Sequence, residues 1–235
     1  MIQTRPASTR RIRHDVLPLP NGHTILIVQQ QKSVWLTLPP GPGQFTILGD
    51  ALVDLDENFN PVWTWSAFDW LNVDRHPMGF TADQGYDWTH CNCVQLGPDG
   101  NLVLSSRHQN WVMKLAYDGG AGNGAILWKL GYQGDFTLTG QFTADTDWFF
   151  AQHFPNLLTA SGDQITSLSV FDNGNDRCYA TPAGCGNSIP PPGAFTRGAI
   201  FTIDGWCQRM LREHAFDSGS LFHQELLADT TDLRE

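Results

Sequence analysis

The sequence predicts an all-β chain built from repeated units, the blades of a β-propeller, and three observations carry that reading. Apolar runs of strand length dominate, as in HTILIVQQ, QFTILG, ALVDLD, NLVLSS, WVMKLA and SLSVFDN. Turn clusters bound them: PNG, PGPG, PDG, GGAGNG and NGND. A histidine-headed unit then recurs, with His14, His90 and His153 each followed by an apolar strand, a tight turn and a second apolar strand.

The units follow in chain order. His14 precedes LPLPNGHTILIV, with Gly22 in the turn, and ALVDLDENFNPVWTW adds an apolar-acidic strand, a turn and a tryptophan-bearing strand. His90 precedes VQLGPDGNLVLS, with Gly100 in the turn, and WVMKLAYDGGAGNGAILWKLG repeats the second half. His153 precedes NLLTASGDQITSLSV, with Gly162 in the turn, and AIFTID at 199–204 begins a further strand before the pattern fades. Four strands per unit make a blade. From Trp206 onward WCQRMLREHAF and LFHQELLAD lie on helical faces instead, so the chain divides into a propeller region, 1–205, and a divergent tail, 206–235, with short helical character. A closed propeller takes about four to eight blades. This chain supplies about three to four, and the expectation is that they belong to a longer protein.

Composition limits the function classes. With 41% apolar and 16% charged residues, nine Trp, fourteen Phe, twenty-three Gly and fourteen Pro, the 235 residues read as globular and turn-rich. A net charge of −10 argues against nucleic acid and anionic membrane as partners, since both are bound through surplus Lys and Arg. No apolar run reaches the ~18 residues of a membrane-crossing helix. The first residues, MIQTRPASTRRIRHD, have no apolar core of a signal peptide, so the compartment is unread.

Cysteine usage adds little. Cys178 and Cys185 in CYATPAGC flank a Pro/Gly loop that a disulfide could close, whereas Cys91 and Cys93 read as one face of a strand and not as half of a zinc site. No phosphate-binding loop, G-x-S-x-G elbow or H-E-x-x-H pair occurs, and neither cofactor nor metal is expected.

Chemistry is expected at the repeat heads. The first strand of each blade lines the central channel of a propeller, so equivalent positions in successive blades point to one axis and bring His14, His90 and His153 together. Along the strand from His90, Asn92 shares the histidine's face and Cys91 faces away. The returning strand NLVLSSRHQNW brings Arg107 to the same end; His108 competes with it for the pocket, and alternation favours Arg107 inward, with His108 facing the other way as a packing residue or one that supports the site from behind. Amide, imidazole and guanidinium together suit a tetrahedral oxyanion. Arg177 in FDNGNDR is the second anion candidate, against the alternative that it is merely solvated.

These residues lie in motifs with a known likeness. RHDVLPLPNGHTILI, LGDALVDLDENFNPVWTWSAFDWLNVDRHPM, DWTHCNCVQLGPDGNLVLSSRHQNWVMKL, ILWKLGYQGDFTL, FFAQHFPN and FDNGNDR closely resemble the arylsulfate sulfotransferase family, the PAPS-independent bacterial type, over roughly residues 11–204. The resemblance implies a six-bladed propeller that moves a sulfuryl group from an aryl sulfate donor to a phenolic acceptor by a ping-pong route. It places the transiently sulfated histidine at His153, the two further histidines at His14 and His90, and the anion-holding pair at Asn92 and Arg107. Either His14 or His90 then serves as the general acid and base. Arg13 stands where the family often has a second histidine, and the tail beyond AIFTID no longer follows the family. Related full-length proteins are periplasmic or secreted. The alternative reading is a non-catalytic propeller fragment that binds an anionic or aryl ligand. Open blade edges make a homo-oligomer a reasonable expectation.

Overall fold

Among the described residues each strand pairs with a neighbour in the chain, and these strand pairs are antiparallel. The computed structural model describes residues 12–37, 42–75, 86–139, 144–175, 177–180 and 197–202. The expected tail, 206–235, and Cys185 lie outside them; Cys178 is buried and disulfide-bonded.

Three sheets result. The first runs β1 (Ile12–Pro18), β2 (Thr24–Leu36), β3 (Gly43–Leu55), β4 (Pro61–Ser66) in that spatial order. The second runs β5 (Cys91–Leu96), β6 (Leu102–Ser106), β7 (Trp111–Leu115), β8 (Ile126–Gly131). The third holds β9 (His153–Ser161), β10 (Gln164–Asp172) and β11 (Arg197–Thr202), with β10 in the middle. The all-β expectation is met, with short helical turns between strands. One of them, α1 (Ala67–Trp70), is capped by Ser66, whose Oγ accepts from the Phe68 N–H at 3.3 Å.

The hairpins that open the sheets share one device. Gly22, Gly100 and Gly162 sit at φ of 88°, 75° and 58°, where a side chain would be strained, so the turn residue recognisable in each repeat is the one the backbone requires.

Alternation along β6 and β7 builds the core. Leu102, Leu104, Trp111, Met113 and Leu115 face the first sheet and pack with Ile25, Ile27, Leu36, Ile47, Leu52 and Trp65. Val103 and Val112 face the other way, against Ile165, Leu168, Val170 and the Trp148-Phe149-Phe150 run. Every residue of both strands is buried, which explains why these segments read as continuous apolar runs rather than as alternating ones. The middle sheet is thus sandwiched between the other two. The first strands of the three sheets become neighbours, β1 against β5 and β5 against β9.

Candidate active site

The segment that leads into β5 carries most of the site, and it is pinned on both sides. Toward the first sheet, Leu48 donates its N–H to the Tyr86 carbonyl at 3.1 Å and accepts from Trp88 at 2.8 Å, making a short parallel bridge at Asp87. One oxygen of the buried Asp50 takes the Thr89 hydroxyl and the Cys91 N–H, each at 2.7 Å. Toward the second sheet, Ser106 Oγ donates to the Thr89 carbonyl at 2.9 Å and the Arg107 N–H to the His90 carbonyl at 3.2 Å. Held this way, His90 adopts φ 46°, left-handed for a non-glycine residue. His14, in an irregular stretch of β1, adopts φ 55°.

Both rings meet at the junction of the sheets. The His14 and His90 ring centroids are 4.7 Å apart, and on the far side of His90 the His108 ring lies at 4.6 Å. Asp87 Oδ2 accepts from His90 Nδ1 at 2.6 Å and from Arg13 Nη1 at 2.9 Å. Burial opposes ionisation of Asp87, but the hydrogen bonds and positive partners His90 and Arg13 outweigh it and hold the carboxyl at about 2. Because that value lies below the ordinary 3.8, the stability Asp87 contributes is complete above about pH 4 and is lost as pH falls toward 2. Urea midpoints measured across that range should fall less steeply in Asp87→Asn than in the wild type.

Arg107 and His108 reach the same cluster, which corrects the expectation that they face opposite ways. Alternation ends at Ser106, and Arg107–Gln109 form a 3-10 turn. His108 Nδ1 donates to the Asp87 carbonyl at 2.6 Å, so its Nε2 is an acceptor, and Arg107 Nη1 lies 2.6 Å from it. Burial pushes the His108 imidazole down to about 4. A neutral His108 therefore fixes the guanidinium beside His90. Arg75 supports the turn from beneath: it donates to the Gln109 carbonyl at 2.7 Å and the Tyr132 carbonyl at 3.0 Å and stacks on Trp111, while burial lowers its own value to about 9.

His153 opens β9, and its approach is fixed from the second sheet. The Ala151 N–H reaches Asn110 Oδ1 at 2.7 Å, and the buried Gln152 amide donates to the Ser106 and Trp111 carbonyls at 3.1 and 2.9 Å. His153 Nδ1 lies 2.8 Å from Asn173 Oδ1. Burial, with the charges of Arg107 and His90, lowers the His153 imidazole below its usual value despite the Asn173 bond, and His14 is lowered by burial and by the charges of His90, Arg13 and His153. Three repeat heads thus share one electrostatic neighbourhood.

Two further residues expected in the site make structural hydrogen bonds. Asn92 Nδ2 donates to the Gln152 carbonyl at 2.8 Å, which ties β5 to the residue before His153. Arg177 is buried. It binds Asp172 Oδ2 and the Thr146 and Trp148 carbonyls, each at 2.5 Å, and sits over Phe150. Burial overturns the solvated alternative.

Asp87, His90 and His108 offer ligand atoms within 4.8 Å of one another, a spacing that a metal ion could use. The same groups already hold Arg13 and Arg107, however, and two guanidinium ions suit an incoming anion better than a cation. Asp87, His108, Arg13 and Asn173 were not singled out as site residues from the sequence, because none stands at a repeat head, although each lies in one of the motifs that carry the resemblance.

The motif order around these residues is also that of a known family: the one described as Arylsulfotransferase (ASST) matches residues 2–210. The chain belongs to the arylsulfotransferase family. Membership points to arylsulfotransferase function in general. A 36-residue stretch of this arylsulfotransferase-family chain is also 58% identical to the RecBCD enzyme subunit RecB of Escherichia coli (strain K12). That stretch is 15% of the chain and 3% of RecB, and no activity is carried across so short a match.

Proposed function

We propose that the chain moves a sulfuryl group from an aryl sulfate to a phenol by double displacement through His153, on a propeller of which the three described sheets are blades. The observation that supports this most strongly is the pairing of a neutral His153 with Asn173 Oδ1. An amide oxygen accepts only from N–H, so it holds the proton on Nδ1 and leaves the Nε2 lone pair as the nucleophile.

In the first step His153 Nε2 bonds to sulfur, the S–O bond to the aryl group breaks, and its electron pair leaves on the phenolate oxygen. Arg107, His14 and His90 supply positive charge or donors to the sulfuryl oxygens as charge redistributes. Asn92 has a second amide N–H beyond the one bound to Gln152 and joins them. In the second step the acceptor oxygen attacks sulfur, the N–S bond breaks, and its pair returns to His153. One histidine protonates the leaving phenolate and deprotonates the acceptor.

Asn173→Ala should keep the fold and lower kcat by about 10²-fold, the order expected when a reacting group is misplaced by ~1 Å. The assay is phenol-stimulated release from a chromogenic aryl sulfate. Unchanged turnover would remove the role given to Asn173. A folded chain that binds aryl sulfate without ever carrying +SO₃ would instead be a non-catalytic binding module.

A further inference from the structure

Resting on the transfer reading above, we infer that His90 is the histidine that moves the proton, and that Asp87 is the positioning residue that equips it to do so. The two flanking histidines are equivalent by sequence register but differ in their surroundings. His90 Nδ1 faces a carboxylate oxygen at 2.6 Å, while His14 has no side-chain hydrogen bond among the described residues. The carboxylate accepts the Nδ1 proton, so every proton that His90 gives or takes passes through Nε2. The ring cannot turn away, because it lies between the His14 and His108 rings at 4.7 and 4.6 Å.

Asp87 is itself held for this task. The parallel bridge to Leu48 fixes its backbone, its carbonyl takes His108 Nδ1, and Arg13 shares the carboxylate oxygen that His90 uses. The arrangement has the three parts of an orienting dyad: a carboxylate, an imidazole, and a cation that keeps the carboxylate charged. His14 feels Asp87 only through space and has no carboxylate hydrogen-bonded to its ring among the described residues, so it is suited to donating to a sulfuryl oxygen rather than to carrying a second proton.

The proton account balances over both steps. In the first, the Nε2–H of the imidazolium goes to the departing phenolate oxygen as the S–O bond breaks, leaving neutral His90 with its Nδ1–H still on Asp87. In the second, Nε2 takes the proton from the acceptor hydroxyl as the new O–S bond forms and the N–S bond to His153 breaks.

Leaving-group dependence distinguishes this role from a structural one. Phenyl sulfate expels a phenolate whose conjugate acid has a pKa of about 10, like tyrosine, and needs its proton; 4-nitrophenyl sulfate expels a far weaker base and does not. In Asp87→Asn and His90→Gln, turnover of phenyl sulfate should fall by about 10²-fold or more, while His153 sulfation by 4-nitrophenyl sulfate, followed by mass spectrometry, changes much less. Asp87→Glu, which keeps the carboxylate, should recover part of the phenyl sulfate rate and serves as the control should Asp87→Asn fold poorly. Equal losses with both donors in Asp87→Asn and His90→Gln would overturn the inference, and so would a selective loss confined to His14→Gln. Absence of any His153 adduct in the wild type would overturn the transfer reading itself, which is a separate failure.

Discussion

His153→Ala should lose phenol-stimulated release from a chromogenic aryl sulfate by about 10⁴-fold or more, because the proposed double displacement runs through this imidazole, which Asn173 orients. The same variant incubated with donor alone should show no +SO₃ species, where the wild type shows one. The protein should remain folded: the hydrogen bonds that fix the approach to β9 come from Ala151 and Gln152, and the side chain lost is partly exposed. Wild-type release in His153→Ala would dismiss the double displacement outright. A slow residual rate that does not saturate with acceptor would mean instead that water or phenol attacks directly in the anion pocket.

Arg177→Met should be the most destabilising of these changes, by about 3–5 kcal/mol in urea unfolding, since it leaves the buried Asp172 carboxylate without its cation and the Trp148 and Thr146 carbonyls without their donor. The effect should spread to the site. Asp172 Oδ1 also takes the Phe150 and Gly174 N–H groups at 2.9 and 2.8 Å, and Asn173, which holds His153, lies between those anchors in the chain. A substrate-binding arginine would behave differently, raising KM at unchanged unfolding midpoint. That result would return Arg177 to the role its motif suggests.

The contrast between Arg177 and Arg107 illustrates what could be read from the amino-acid order. His14, His90 and His153 were legible because a repeat fixes register, and register fixes which side chains share an end of the sheets. The hairpin glycines were legible for the same reason. For Arg107 and His108 the argument from alternation does not hold: it put His108 behind Arg107, whereas a 3-10 turn after Ser106 brings both into one cluster. Nothing in SSRHQNW marks where a strand stops alternating; the half-buried Arg75 and the buried Gln109 beneath the turn decide it through tertiary contacts. Asp87 was illegible for a further reason. Its place depends on a bridge to Leu48 in another sheet, and its partners His90, Arg13 and His108 come from two sheets and a turn. Arg177 failed because an arginine after a turn looks solvated or functional, while the acceptors that bury it, Thr146 and Trp148, are distant in the chain.

The left-handed backbone at His14 and His90 sets two kinds of selection against each other. At φ near +50°, glycine is the residue the polypeptide adopts without strain, and any other side chain costs on the order of 1 kcal/mol or more. Glycine at either position would relieve that strain but would remove a ring from the cluster, and at residue 90 the hydrogen bond to Asp87 as well. The two histidine rings, 4.7 Å apart, therefore stand on backbone that a glycine would occupy more easily, and the fold carries that strain to keep both rings at the junction of the sheets.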